Sequence, residues 1–457
     1  MSLNQVFASS PEGPFLEGLF SALNSSGVRY AVMRNYKSLP YSANGSDLDI
    51  LVVPGDEGKA YSLVMKLIRE YWGVAIGISK GVGFVKICAL GRSVDHVQGW
   101  WGLCIDVNSG LCFHGLHQWD CTIPLLIRSH RDINVLEGGV AGVCGVLKEV
   151  LNNLRCPGRY VLAARGAVTK EWIEIRKALS PMGERSLSQL RRIVLAEQDH
   201  PRDVECRRVR SAFIVHSILS RPLASLRGAC AYEWSKIARY LRPGGMIVAM
   251  LGVDGAGKST LIGAIKPILD AATHNAAVTY HLRPGLLPPL ARLKGVGDLP
   301  VGAVIDPHGS KPSGVFGSLF RLAYLTLDYV AGYWLKTRVQ IARQPTVIIF
   351  DRYAYDMLLD PRRFRIGISA RIAGWFAAMA PRPDMIFCLL GEPEVIAARK
   401  GELPVEETRR QVATIRAFAK QNPRAVIISV ESSIEDARDQ VLQAMCDFLQ
   451  TKTANRR

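Results

Sequence analysis

Nine consecutive residues, Gly252-Val253-Asp254-Gly255-Ala256-Gly257-Lys258-Ser259-Thr260, have the types and spacing that hold a polyphosphate. They satisfy the phosphate-loop pattern G-x-x-x-x-G-K-[ST] at every fixed position. Glycines let successive backbone N–H groups converge on one point at a helix N-terminus, where anions collect. On this reading Gly252, Gly255, Gly257 and Thr260 line a nucleoside triphosphate. Lys258 reaches its β- and γ-oxygens, and the Ser259 hydroxyl takes Mg²⁺.

Other residues supply the remaining parts of a phosphoryl-transfer centre, which needs an anchored metal and cations to neutralise spreading charge. The apolar run 346–350 ends in Asp351-Arg352-Tyr353. An acid at the end of such a strand anchors Mg²⁺ or its waters, and Arg352 offers a bidentate fork to donor and acceptor phosphates. Arg399-Lys400-Gly401-Glu402 follows a helix opening at Pro393-Glu394, where a basic pair acts either as a lid that excludes water or as a C-terminal dipole pair on a solvated helix. Asp360-Pro361-Arg362-Arg363-Phe364-Arg365 reads either as a solvated surface run or as a site for an anionic acceptor.

A second set of acids lies near the N-terminus. Asp47 and Asp49 stand at i and i+2 beside a strand, so both point one way, and Asp106 offers a third carboxylate from another strand. Paired acids on one face suit two-metal chemistry; a loop-proximal pair capping a turn is the plainer alternative. Cys112, His114 and His117 include metal-capable donors, but loop or core residues are the simpler reading.

The elements that must position these groups divide the chain in three. Residues 1–170 mix strands and helices, with strands expected at 30–33, 48–53, 84–90 and 102–107 and a helix at 60–72. Residues 171–245 read as a basic helical linker that closes at Arg242-Pro243-Gly244-Gly245, a boundary signal. Residues 246–457 alternate strand and helix, with strands expected at 246–251, 278–282, 346–350, 385–390 and 425–430. That alternation predicts an α/β fold with a parallel sheet covered on both faces by helices. The apolar helix 322–335, with Asp328 in its middle, reads as a buried core helix.

Composition bounds the partners. The chain has 457 residues, a formal charge of +17 and 48% hydrophobic residues, enough for two or three cores. The positive charge favours anionic partners. Basic residues are not interleaved with aromatics, so no nucleic-acid module is seen. Residues 201–245 hold nine Arg/Lys against three Asp/Glu, net +6. Such a segment is usually a solvated connector, though one with an amphipathic stretch at 231–240 can also lie on a membrane or an anionic glycan. A homodimer stays open. No apolar run long enough to span a membrane and no secretory leader is expected, and ten cysteines without a Cys-x-x-Cys pair suit a reducing, cytoplasmic setting.

The C-terminal half resembles thymidylate kinases. The residues that carry the resemblance are the phosphate loop, Asp351-Arg352-Tyr353, Pro383-Asp384, Pro393-Glu394-Val395 and the basic lid. The resemblance covers about 246–450. It implies a P-loop NTPase fold, ATP and Mg²⁺ as cofactors, and transfer of the γ-phosphoryl group to a nucleoside monophosphate such as dTMP. It also implies that Asp254 helps place the acceptor, that Lys258, Ser259, Asp351 and Arg352 serve the transfer centre, and that Arg399 is the lid arginine. Departures are visible. The phosphate loop carries no arginine, and Leu282-Arg283-Pro284-Gly285 lacks the family's glutamate. The acid pattern at Asp47, Asp49 and Asp106 is similar to that of nucleotidyltransferases, with Met33-Arg34-Asn35-Tyr36 where that family has a Gly-Ser loop. Together the halves resemble thymidylate-kinase-like proteins of surface-polysaccharide synthesis. This leaves a sugar, glycan or lipid-linked acceptor, or a regulatory scaffold that hydrolyses ATP, as alternatives.

Overall fold

Strand residues alternate between faces, and this sorts the N-terminal sheet into two cores. In the computed structural model, which describes residues 10–93, 99–117, 127–196, 203–290, 312–400 and 403–454, the chain forms two compact units, Met1–Arg242 and Pro243–Arg457.

The first unit holds β1 (Tyr30–Val32), β2 (Leu48–Val52), β3 (Gly73–Gly81), β4 (Phe84–Arg92), β5 (Trp100–Ser109), β6 (Cys112–Phe113), β7 (Leu116–His117), β8 (Ile127–His130) and β9 (Ile133–Leu136). Seven of these strands make one mixed sheet, in the order β3-β4-β5-β2-β1-β9-β8; β6 and β7 pair separately. Val32, Ile50 and Val52 point into one core with helices Gly13–Ser25 and Glu57–Glu70. Ala31, Met33 and Leu51 point into the other, with helices Gly138–Asn153 and Gly158–Lys170. β2 and β5 run parallel with Asp49 opposite Asp106, so one register brings the two acids together.

Of the segment 171–245, the helices between Trp172 and Ser220 are not a free connector. Ile175, Leu187, Leu190, Ile193, Val209 and Phe213 are buried in the same core as the helix Gly138–Asn153. Helical spacing of these residues gives each short helix an apolar stripe, and that stripe has a partner here.

The second unit holds β10 (Met246–Gly252), β11 (Val278–His281), β12 (Val347–Asp351), β13 (Met385–Leu390) and β14 (Ala425–Ser429). All neighbours are parallel, in the order β11-β12-β10-β13-β14. β10 is buried along its whole length, as expected of a strand covered on both faces. The winding reverses at β10, and the carboxyl end of a strand at such a point is where open α/β sheets bind ligands.

The helix expected as a core element at 322–335 is Val315–Gly332, followed by a π-turn at Tyr333–Thr337. It is a core helix, with Leu322, Leu325 and Tyr329 buried, but its buried face also carries the charge. Asp328 is 0% exposed, while Leu327, Trp334 and Leu335 face solvent. The carboxylate is satisfied inside: Arg283 Nη1 and the Gly285 N–H donate to Oδ2, each at 3.1 Å, and the Leu287 N–H donates to Oδ1 at 2.6 Å. Three donors offset its desolvation. Among the described residues no helix is long and apolar enough to cross a membrane.

Candidate functional site

Gly252 ends β10, and the chain turns through Gly255 and Gly257 at φ +88° and +81°, a region open to glycine at little steric cost. Gly257 precedes helix Lys258–Thr273, whose first N–H groups lack partners within the helix. Lys258 is only 7% exposed. Its Nζ donates to the carbonyls of Gly252 and Val253, each at 2.9 Å. Burial, with Arg352 beside it, pulls the ammonium down to about 8. The loop thus holds its own cation against its own backbone, a bond that an anionic ligand can replace.

Asp351 closes β12, in register with Met250 on β10 and His281 on β11. Its Oδ2 lies 3.5 Å from Ser259 Oγ and 3.7 Å from His281 Nδ1. Its Oδ1 is buried with no hydrogen-bond partner. Burial raises this carboxyl, but the His281 hydrogen bond and the Lys258 charge outweigh it, so the group stays below the usual carboxylate range. An ionised carboxylate with one open oxygen, beside a serine hydroxyl, is a hard oxygen donor set. It fits Mg²⁺.

Arg352 and Arg363 both grip Asp254, Arg352 Nη2 on Oδ1 and Arg363 Nη2 on Oδ2. Arg352 Nη1 also reaches Asp356 Oδ1 at 3.3 Å, and Arg363 Nε reaches Asp360 Oδ2 at 3.4 Å. Burial lowers Arg352, but Asp356 and Asp254 more than restore it, so its charge is secure. Burial raises the Asp356 carboxyl. Arg352 takes φ +76°, strained for a non-glycine residue, and its N–H donates to the Met250 carbonyl at 3.0 Å. The tertiary fold therefore fixes both backbone and side chain at this arginine.

Arg399 is tied to the backbone just past the carboxyl end of β14. Its Nη2 donates to the Val430 carbonyl just beyond β14, at 3.0 Å, and no described contact joins it to Lys258, Asp351 or Arg352. Gly401 and Glu402, the rest of the expected lid, lie outside the described residues.

In the first unit, ligand atoms of Asp47, Asp49 and Asp106 lie within 4.8 Å of one another. Donor type and spacing suit a metal, and Asp106 Oδ1 is buried without a partner. The charge is already balanced, however. Arg34 Nε binds Asp49, Arg34 Nη2 is 3.2 Å from Asp47, Lys86 Nζ is 3.1 Å from Asp106, and Lys148 Nζ is 3.9 Å from Asp49. Burial raises the Asp106 carboxyl, more than Lys86 lowers it. A divalent ion enters this cluster only if Arg34 gives way.

The Cys112–His117 stretch forms no cluster of three donors. Cys112 Sγ is 3.1 Å from His117 Nδ1, burial pushes its thiol up to about 11, and His114 instead stacks between Phe113 and Tyr232.

No family model and no curated protein matches the chain. Among solved structures, a thymidylate kinase from Ehrlichia chaffeensis aligns at 16% identity and a TM-score of 0.32, covering 44% of this chain and 98% of that one. At that similarity the match carries no argument, and the site stands on its own geometry.

The structure brings Asp254, Lys258, Ser259, Asp351 and Arg352 to the carboxyl ends of β10 and β12. It adds Asp356 and His281, and from the 362–365 arginine run, left open between a surface run and an anionic site, it brings in Arg363. Asp356 had a signal, standing i+4 from Arg352. Arg363 had a weaker one, its place in the 362–365 arginine run. His281 had none beyond its place at a strand end.

Proposed function

We propose that the unit Pro243–Arg457 is an ATP-dependent phosphotransferase whose acceptor is a small nucleoside-monophosphate-like anion. One observation carries the reading: the unpartnered Asp351 carboxylate oxygen beside Ser259, at the mouth of a glycine loop with a buried lysine. Ser259 and Asp351 would hold Mg²⁺, which would supply neutralisation of the phosphate charge. The loop N–H groups bind and orient the triphosphate. Lys258 would exchange two carbonyl partners for phosphate oxygens, which favour its charged form more strongly. Asp254 holds Arg352 and Arg363 apart and aimed, so that two guanidinium groups flank the place where an acceptor phosphate would be received.

The test is an acceptor screen with γ-labelled ATP against nucleoside monophosphates, sugars, lipid-linked glycans and water. Label on a nucleoside monophosphate supports the reading. Label on a glycan fraction alone moves the acceptor to the sugar class, and label only in inorganic phosphate makes the unit a hydrolase.

A further inference from the structure

Helix Pro222–Leu241 packs through one face and leaves the opposite face bare. Ser225 is buried, Gly228 abuts Gly115, Tyr232 stacks on His114 with ring centroids 4.6 Å apart, and Arg239 donates to the Lys80 carbonyl at 3.1 Å. Those positions share one side of a 3.6-residue helix. On the other side stand Leu223, Leu226, Trp234, Ile237 and Leu241, all exposed, with Trp234 at 68%. Exposed Cys230 falls on the same line. The stripe runs about 27 Å at 1.5 Å per residue. The preceding helix, Asp203–Ser220, extends it with exposed Val215, Ile218 and Leu219.

The rim of this face is basic. Arg207, Arg208, Arg221, Arg227, Lys236 and Arg242 are exposed. Glu233 is the one acid within Pro222–Leu241, and it is already paired with Lys236 at 2.6 Å. A second copy of this face would set arginines against arginines with almost nothing to offset them. An anionic surface offers the complementary charge, and an exposed stripe with a tryptophan in it enters the headgroup boundary of a bilayer.

We propose that the face formed by Pro222–Leu241 and the end of Asp203–Ser220 docks on an anionic phospholipid surface. The apolar stripe lies in the plane of the interface, and the arginines meet lipid phosphates. This is a contact separate from the phosphotransfer site.

The experiment is co-sedimentation of the full chain with phosphatidylcholine vesicles, with and without phosphatidylglycerol. The wild type partitions at least about tenfold more strongly to the anionic vesicles, and added salt weakens it. Leu223→Ser/Trp234→Ser/Ile237→Ser changes only exposed positions and abolishes the partition. Arg227→Glu/Arg242→Glu removes the preference for anionic lipid. Sedimentation velocity on the same proteins reads the rival occupant. Absent or equal partition overturns the proposal. So does a wild-type dimer that the triple serine variant dissolves, which would assign the face to a second copy.

Discussion

Arg363 Nη2 donates to Asp254 Oδ2 across 109 positions of chain, and Arg352 Nη2 holds the other oxygen of the same carboxylate. One acid in the glycine loop thus sets two guanidinium groups. The loop lacks an arginine of its own, and in the proposed reading these two would supply the cations that the sequence assigns to a lid at Arg399.

The first prediction separates the two assignments. Arg363→Ala lowers kcat/KM for acceptor phosphorylation about 100-fold, the usual loss when one fixed donor to developing charge is removed. Arg399→Ala changes it less than about tenfold, because Arg399 is tied to the Val430 carbonyl. Steady-state kinetics on both variants decide it, and the reverse ranking restores the lid.

Lys258 links activity to stability. At a folded value near 8 against an ordinary value of 10.5, its charged form is disfavoured by burial in the native state. The stability tied to this depressed group is fully present above about pH 10.5 and is lost as pH falls through about 8. Lys258→Met therefore abolishes turnover yet raises the unfolding free energy at pH 7 by roughly 1–3 kcal/mol. Urea titrations should show that gap shrinking as pH climbs from 8 to 10.5. A variant less stable than wild type at pH 7 would refute this account of Lys258.

Ser259 and Asp351 predict a metal phenotype. Asp351→Asn removes the ionised oxygen that is buried without a partner, so the Mg²⁺ concentration for half-maximal rate rises by at least about tenfold. Ser259→Ala moves it the same way by less. The measurement is a Mg²⁺ titration at fixed ATP, and an unchanged midpoint in Asp351→Asn sinks the assignment.

The acidic cluster of the first unit predicts the opposite kind of result. Arg34→Met leaves Asp47 and the nearly buried Asp49 without their main cation and lowers stability by about 3 kcal/mol. Asp47→Asn/Asp49→Asn leaves the phosphotransfer rate within about twofold, since no residue of the kinase site belongs to that unit. A tenfold loss of rate with native circular dichroism would show that the two units are coupled.

What the sequence revealed follows from the range of the forces involved. The five strands of the second unit fall within two residues of their expected ends, because continuous apolar runs between glycine and proline signals are local. The glycine loop and Asp351 were legible for the same reason. Arg363 was legible only as part of an arginine run, and His281 and Arg34 were not, since their roles depend on which strand ends and loops the fold sets side by side. The core helix around Asp328 was legible in outline, but periodicity counts only apolar residues. It cannot see that three donors from the 283–287 loop will hold a carboxylate at 0% exposure while Leu327 faces out. Within 171–245, the charge hid that the helices between Trp172 and Ser220 bury their inner faces in a shared core.

Asp351, Ser259 and Lys258 are proposed to form a Mg²⁺–ATP phosphotransfer site. The most direct measurement follows γ-labelled ATP with wild type and Lys258→Met across the nucleoside monophosphates. The account predicts label on a nucleoside monophosphate with wild type and none with Lys258→Met. No labelled acceptor with the folded wild type, or equal labelling by the variant, would contradict it.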